Sequence, residues 1–168
     1  MATDQIKYIE KENMLEINLH VEKTKKTVFM FFVTVGSIIA LMPIVIFIIS
    51  LFEKIDIGFG FLFLIIIAAL VSFFLYRMAF WNMYGIEKYI IEKKSVTFIA
   101  DYKVFKDNVM KLEGEEIKVG FFDEKQNLQK NQNTAKLIFE LNGKQIQSTI
   151  DITINSINKL TTKIEKIL

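Results

Sequence analysis

Residues 27–52 read TVFMFFVTVGSIIALMPIVIFIISLF, and these 26 positions contain no charged side chain. A second apolar segment, residues 57–79, reads IGFGFLFLIIIAALVSFFLYRMA and has its first charge at Arg77. A helix of about 20 apolar residues spans the roughly 30 Å hydrocarbon core of a bilayer, so each segment is long enough to cross it. Because hydrocarbon offers no partners to backbone N–H and C=O groups, both segments are predicted to be helices.

The connection between the two apolar segments is short, since only the sequence EKID at residues 53–56 separates them. Residues 27–80 are therefore predicted to form a hairpin of antiparallel helices. Small residues at 36–37 and 68–69 would permit the two helices to approach closely. Neither segment carries an ionisable residue deep within it, and such residues usually mark ion and substrate pathways. This absence argues against a transporter or channel.

The positive charges near the hairpin are unevenly distributed. Seven Lys and Arg side chains lie near or beyond its two outer ends and one lies in the connection: Lys23, Lys25, Lys26, Arg77, Lys88, Lys93 and Lys94 against Lys54. Positive side chains near membrane helices favour the cytoplasmic side. We therefore expect a multi-pass protein of the cytoplasmic (inner) membrane, in contact with the lipid bilayer and with both termini in the cytoplasm.

The composition excludes several kinds of chemistry. The chain has 168 residues, no Cys and one His, and its 21 Lys and Arg nearly balance 19 Asp and Glu. Without Cys there is no disulfide framework and no thiolate metal site, and a net charge of +2 argues against a nucleic-acid partner. Phosphate-loop, dinucleotide and H-E-x-x-H zinc motifs are absent. We predict no catalytic, cofactor-binding or metal-ligating residues, no cofactor and no enzyme activity.

Residues 14–21 (MLEINLHV) alternate between apolar and polar side chains. Leu15, Ile17, Leu19 and Val21 share one face, whereas His20 lies on the polar face, as expected for a half-buried strand. An isolated strand is unstable in water and needs a sheet to join. The N-terminal segment 1–26 is therefore expected to contribute this strand to a sheet that lies beyond the hairpin, in residues 81–168.

Six further strands and one helix are predicted in residues 81–168. The strands occupy 86–92, 96–103, 106–112, 117–122, 135–141 and 144–151, and the helix occupies 153–168. Asn142-Gly143 is typical of a two-residue hairpin turn, because a type I′ turn needs positive φ at both positions. Residues 123–133 (DEKQNLQKNQN) are polar and lack periodicity, which indicates an exposed loop. The helix is amphipathic, with apolar residues at 154, 157, 160, 164 and 167.

The junction between the second apolar segment and this domain, residues 81–87, reads WNMYGIE. Its W-x-x-x-G-x-E pattern resembles that of small bacterial membrane proteins in which a two-helix transmembrane hairpin leads into a PH-like (bacterial pleckstrin-homology-like) domain. The resemblance implies an α+β PH-like domain, a seven-stranded antiparallel barrel or sandwich with a C-terminal helix. The hairpin would be inserted after the first strand. It implies no catalytic residues.

Two functional hypotheses follow. The first is a membrane-anchored, non-enzymatic interaction or scaffold module that binds a protein partner or itself through loop 123–133 or exposed strand edges, or serves as an accessory subunit of a larger membrane complex. The alternative is a small two-helix membrane effector whose cytosolic barrel senses a nucleotide signal. Depolarisation of cells only when a nucleotide messenger is supplied would favour the second hypothesis.

Overall fold

The computed structural model of the chain describes residues 6–54, 58–122 and 134–168. The chain divides into two compact units. The first, which we call the β unit, combines Met1–Val21 with Gly85–Leu168, and the second, the helical unit, is Glu22–Tyr84. The predicted loop 123–133 lies outside the described residues.

The helical unit contains two long helices, α1 (Lys26–Glu53) and α2 (Gly60–Tyr84). They are antiparallel, because Phe29 near the start of α1 meets Phe80 near the end of α2, with ring centroids 5.7 Å apart. Helix α2 extends beyond its predicted end at residue 79, since Phe80 and Tyr84 continue the aromatic contact with Phe29. Both helices are long and apolar enough to cross a membrane.

Small side chains occupy the interface between α1 and α2. The buried residues of the two helices are Gly36, Pro43, Ser50, Ala68, Ser72 and Ala79. The expected close approach occurs at Gly36, where an added Cβ would lie 3.4 Å from the Tyr76 ring. Beside it the hydroxyls of Ser37 and Tyr76 are 2.8 Å apart and share a hydrogen bond. Small residues and isolated hydrogen bonds are typical of helix pairs that associate within lipid.

The β unit begins with a five-stranded antiparallel sheet whose strands follow one another in chain order. These strands are β1 (Ile6–Lys11), β2 (Met14–His20), β3 (Ile86–Glu92), β4 (Ser95–Asp101) and β5 (Lys106–Glu113). Strand β2 pairs with β3 although the helical unit separates them in sequence. The expected pairing of segment 14–21 with the later strands is therefore confirmed.

The register of β2 and β3 places apolar residues in the core. Ile17 faces Tyr89 across the ladder and is completely buried. The ladder is extended by one bond in which the N–H of Val21 donates to the carbonyl of Gly85 at 3.0 Å. Strand β1 is not predicted from the sequence, because each of its faces mixes charged and apolar residues and leaves no regular alternation to recognise.

A second antiparallel sheet is built around one long strand. It contains β6 (Lys118–Phe122), β7 (Thr134–Leu141), β8 (Lys144–Gln147) and β9 (Ile152–Thr153), followed by helix α3 (Ile154–Glu165). Strand β7 pairs with each of the other three. Asn142 and Gly143 both have positive φ, 51° and 76°, which confirms the predicted turn between β7 and β8.

The seven-stranded barrel is not observed, since the described residues form nine strands in two sheets and neither sheet closes on itself. One extra strand arises because the predicted strand 144–151 is interrupted. The hydroxyl of Ser148 accepts a hydrogen bond from the N–H of Leu137 and donates one to the carbonyl of Ile150. The Ser148 N–H still donates to the Leu137 carbonyl at 2.8 Å, but the return bond goes to the Ser148 side chain instead of its backbone. The regular ladder therefore stops here: β8 ends at Gln147 and β9 begins at Ile152.

Candidate functional site

The first surface with functional potential is the outside of the helical unit. In the most apolar stretch of each helix only 11% of the residues are buried. The exposed side chains include the large residues Phe31, Leu51, Phe52, Phe63 and Phe74, and Phe52 is 82% exposed. Exposed apolar areas larger than a few hundred Å² mark contact with lipid or with another protein. This surface is therefore stable only where lipid or another apolar surface covers it.

A second feature is a buried carboxyl group in the β unit. Glu87 of β3 has no exposed surface. Its Oε1 accepts hydrogen bonds from the backbone N–H of Thr149, at 2.9 Å, and from the Thr149 hydroxyl. Its Oε2 accepts a bond from the Tyr89 hydroxyl at 3.1 Å. Since Thr149 lies between β8 and β9, Glu87 attaches that segment to the five-stranded sheet.

The electrostatics of this cluster follow from its burial. Loss of solvent raises the pKa of Glu87 above its ordinary value of 4.5, and the hydrogen bonds from Thr149 and Tyr89 oppose that shift. Burial, together with the neighbouring Glu87, also raises the pKa of Tyr89. In the described parts of the chain no ion pair involves Glu87. The carboxyl group is thus held by neutral donors alone.

The inaccessibility of Glu87 and Tyr89 decides the role of the cluster. Neither side chain has exposed surface, so a dissolved substrate cannot reach either one. We interpret the cluster as a structural connection between the two sheets. Glu87 is the last residue of the W-x-x-x-G-x-E junction pattern, and the pattern alone assigns it no role. The signal was present, because the alternation of residues 86–92 places Glu87 on the same face as Tyr89 and Ile91.

The two outer strands of the five-stranded sheet differ in character. Strand β1 is charged and contacts α3, where Lys163 Nζ lies 2.6 Å from Glu10 Oε2 and 4.6 Å from the centre of the Tyr8 ring. The hydrogen bond from Lys163 lowers the pKa of Glu10. Charges of this kind protect a sheet edge against pairing with another chain.

Strand β5 at the opposite edge presents apolar side chains. Its only strand partner in the described residues is β4. Val109 is 64% exposed and Met110 is also exposed, as is Val104 just before the strand. The ladder with β4 shifts register between Phe98 and Ala100. At this irregularity Asn108 has a φ of 51°, and its N–H donates to the Asp107 carboxylate at 2.7 Å. An outer strand with exposed apolar side chains can accept an extended segment of another chain.

A polar cleft of about 960 Å³ lies where the strand turns meet, lined by Asn13, Glu92, Lys93, Lys94, Lys111 and Glu113 among others. Most of its charges are paired locally. Lys111 forms an ion pair with Glu113, Lys94 with Glu115, and the Ser95 hydroxyl donates to Glu92. The mixture of Lys and Glu gives the cleft little preference for an anion.

The residues considered at the sequence level are not brought together into a reactive site. His20 is half-buried in β2 opposite Ile86. In residues 6–54, 58–122 and 134–168, no group of three or more His, Cys, Asp or Glu side chains is placed to hold a metal ion. The absence of catalytic, cofactor-binding and metal-ligating residues stays a prediction.

Comparison with known proteins gives no family assignment, since no protein-family model matches the chain and no curated protein matches it. The features with functional potential are the apolar surface of the helical unit and the strand edges of the β unit. The PH-like interpretation rests on the junction sequence at residues 81–87 and on the layout of the chain.

Proposed function

We propose that this chain is a membrane-anchored, non-enzymatic interaction module of a bacterial inner membrane, with a two-helix hairpin as anchor and a PH-like domain as the interacting part. The observation that carries the proposal is the exposed apolar surface of α1 and α2. These helices have 28 and 25 residues, which at 1.5 Å per residue makes them about 42 and 37 Å long. Hydrocarbon of about 30 Å thickness matches both the length and the chemistry of this surface.

The orientation follows from the flanking charges. Seven Lys and Arg side chains lie near or beyond the outer ends of the hairpin, whereas Lys54 is the positive charge in the connection. This distribution favours a multi-pass arrangement in which both termini and the β unit are cytoplasmic. Two antiparallel sheets followed by a terminal helix are compatible with a PH-like domain, and the junction pattern at residues 81–87 adds the resemblance on which that assignment depends.

We assign partner binding to the β5 edge of this domain. The partner is an extended segment of another protein, an arrangement that also suits an accessory subunit of a larger membrane complex. Val109 and Met110 would supply apolar contacts. Backbone groups on the outer side of β5 would supply hydrogen bonds, apart from the Asn108 N–H, which donates to Asp107. Strand β1 is less suitable, because Glu10 and Lys163 occupy its vicinity with an ion pair.

The anchor is tested with single cysteines, for which the Cys-free chain needs no prior substitution. Lys54→Cys lies at the end of α1 and Gln145→Cys lies on β8. In intact cells a membrane-impermeant thiol reagent should label Lys54→Cys only, and after permeabilisation it should label both. Labelling of Gln145→Cys in intact cells, with Lys54→Cys protected, would reverse the topology. Equal labelling of both variants only after permeabilisation would contradict insertion.

The docking surface is tested separately by placing a photoreactive amino acid at Val109, with Lys7 of β1 as the matched position on the opposite edge. Irradiation of native membranes should give a discrete protein adduct from position 109 and little from position 7. Adducts of equal yield from both positions would contradict the assignment to β5.

A further inference from the structure

The helical unit contains an apolar cavity of about 490 Å³ between α1 and α2. One stripe of each helix lines it. Helix α1 contributes Ala40, Pro43, Ile44 and Phe47, and helix α2 contributes Phe61, Ile65, Ala68 and Ala69. The spacings of three and four residues place each set on one helix face. The cavity is therefore a gap along the seam of the hairpin.

The gap has a clear origin in the sequence. Side chains at 40, 68 and 69 are methyl groups, which leave space that larger residues would fill. At one end the gap is bounded by the stacked rings of Phe47 and Phe61, whose centroids are 6.2 Å apart. Ile44, Phe47 and Ile65 are about half-exposed, so the cavity is open to the medium around the helices.

The dimensions of the cavity restrict what can occupy it. The lining of α1 covers seven residue steps, or about 11 Å of helix. This length corresponds to about two helical turns, so a helix lying in the gap would contact the lining over two turns only. A thin, flexible chain can follow the gap over its whole length.

The chemistry of the lining also decides between occupants. All eight lining residues are apolar, so the cavity offers no charge and no side-chain hydrogen bond to specify a protein partner. A standard protein interface uses about 20–30 residues on each side, far more than this lining supplies. An alkyl chain needs only van der Waals contact, and it meets no polar or charged side chain in this lining.

We propose that this cavity is a binding site for one acyl chain of a membrane lipid. The inference deepens the proposed function and rests on it, since the acyl chain comes from the bilayer that holds the hairpin. The lipid headgroup stays outside the cavity, and the chain lies along the seam between Ala40 and Phe47 of α1 and between Phe61 and Ala69 of α2. The helix pair would therefore hold a lipid at a preferred position in addition to anchoring the chain.

The test uses the full-length protein in vesicles of phosphatidylethanolamine and phosphatidylglycerol that contain a phosphatidylethanolamine with a mid-chain diazirine. After irradiation, mass spectrometry should find adducts at the cavity residues Ile44 and Ile65 at least fivefold above those at Phe31 and Phe74, which are more exposed but lie outside the cavity. Ala69→Phe should fill the cavity and reduce the adducts at Ile44 at least fivefold.

Two variants serve as controls for the filling of the cavity. Leu70→Phe introduces the same side chain at the neighbouring exposed position of α2 and should leave the adducts at Ile44 unchanged. Ala40→Phe fills the cavity from α1, so it keeps the test decisive if Ala69→Phe disturbs folding. Two results would show that bulk lipid alone contacts the helices and would overturn the site. One is an adduct yield that follows the exposure of each residue, and the other is a loss of Ile44 adducts in Leu70→Phe as large as that in Ala69→Phe.

Two further outcomes separate this site from the anchor itself. A photoreactive residue at Ile65 that yields mainly a dimer of the chain would place a second copy, not lipid, at the cavity and overturn the inference. Resistance of the protein to alkaline carbonate extraction tests the anchor independently. Release by carbonate would overturn the proposed function together with the site, whereas retention with unselective labelling would overturn the site alone.

Discussion

Replacement of Ile17 by Ala should destabilise the whole β unit, although Ile17 precedes the helical unit in the chain. Ile17 is completely buried in β2, with Tyr8 opposite it on β1 and Tyr89 opposite it on β3. The substitution removes three carbon atoms, and at about 0.8 kcal/mol for each buried group the transfer free energy lost is about 2.4 kcal/mol. The cavity left behind raises the expected loss of unfolding free energy to about 3–4 kcal/mol.

The loss can be measured by pulse proteolysis of the full-length protein in detergent across a urea series, with detection of the fragment that contains residues 85–168. Domain stabilities are typically about 5–15 kcal/mol, so the loss is a large part of the total. With a urea dependence of about 1–2 kcal/mol per M, the midpoint for cleavage of the fragment should fall by about 1.5–4 M.

A matched control is available in the neighbouring strand. Ile9→Ala makes the same chemical change in β1, but Ile9 is 50% exposed, so its midpoint should fall by less than about 1 M. If Ile17→Ala left the cleavage of residues 85–168 unchanged, β2 would not belong to the sheet and the inserted arrangement would be wrong. Equal effects of the two variants would show that burial of Ile17 is not the cause.

Two other predictions concern the β unit. An added Cβ at Gly114 would lie 2.8 Å from Leu141 Cδ2, whereas an added Cβ at Gly120 would have no close neighbour. Gly114→Ala should therefore lower the unfolding free energy by about 1–2 kcal/mol, and Gly120→Ala by less. Equal urea midpoints for the two variants would refute the crowding at Gly114. Burial raises the folded-state pKa of Glu87 above 4.5, so the folded unit binds the Glu87 proton more tightly than the unfolded chain does. The unfolding free energy should therefore fall as pH rises above about 4.5, by up to about 1.4 kcal/mol per pH unit. Glu87→Gln keeps an acceptor for the Thr149 N–H and should remove this contribution, which would be contradicted by identical pH profiles of wild type and variant.

The parts of the fold that the sequence predicts are those with a long or regular pattern. Absence of charge over residues 27–52 is sufficient to place α1, because a run of that length has few alternatives. Alternation from Leu15 to Leu19 is sufficient to place β2 and its buried face. The Asn142-Gly143 turn follows from the φ angles that only a few residues adopt readily.

The parts that the sequence does not predict depend on contacts between distant residues. Strand β1 is stabilised by its ladder with β2 and by the Lys163–Glu10 ion pair, and neither leaves a mark in the local sequence. The break after β8 depends on a hydrogen bond between Ser148 and Leu137, 11 residues apart. Burial of Glu87 is tolerated because Thr149, 62 residues later, supplies two donors.

The candidate surfaces divide in the same way. The apolar exterior of the hairpin is predictable from composition alone, because two uncharged helices cannot bury all of their side chains against each other. The cavity and the β5 edge are not, since they depend on which faces of α1 and α2 meet and on which strand ends the sheet.

The pairing of β2 with β3 also sets an order of events during synthesis. Strand β2 ends at His20 and β3 is complete only at Glu92, and a ribosome adds about 5–20 residues per second, so β2 waits roughly 4–14 seconds for its partner. A two-stranded hairpin is marginal in water, and through this interval β2 offers an unpaired edge. Both helices leave the ribosome before the sheet can form. The β unit can therefore be completed only after the whole helical hairpin has been synthesised.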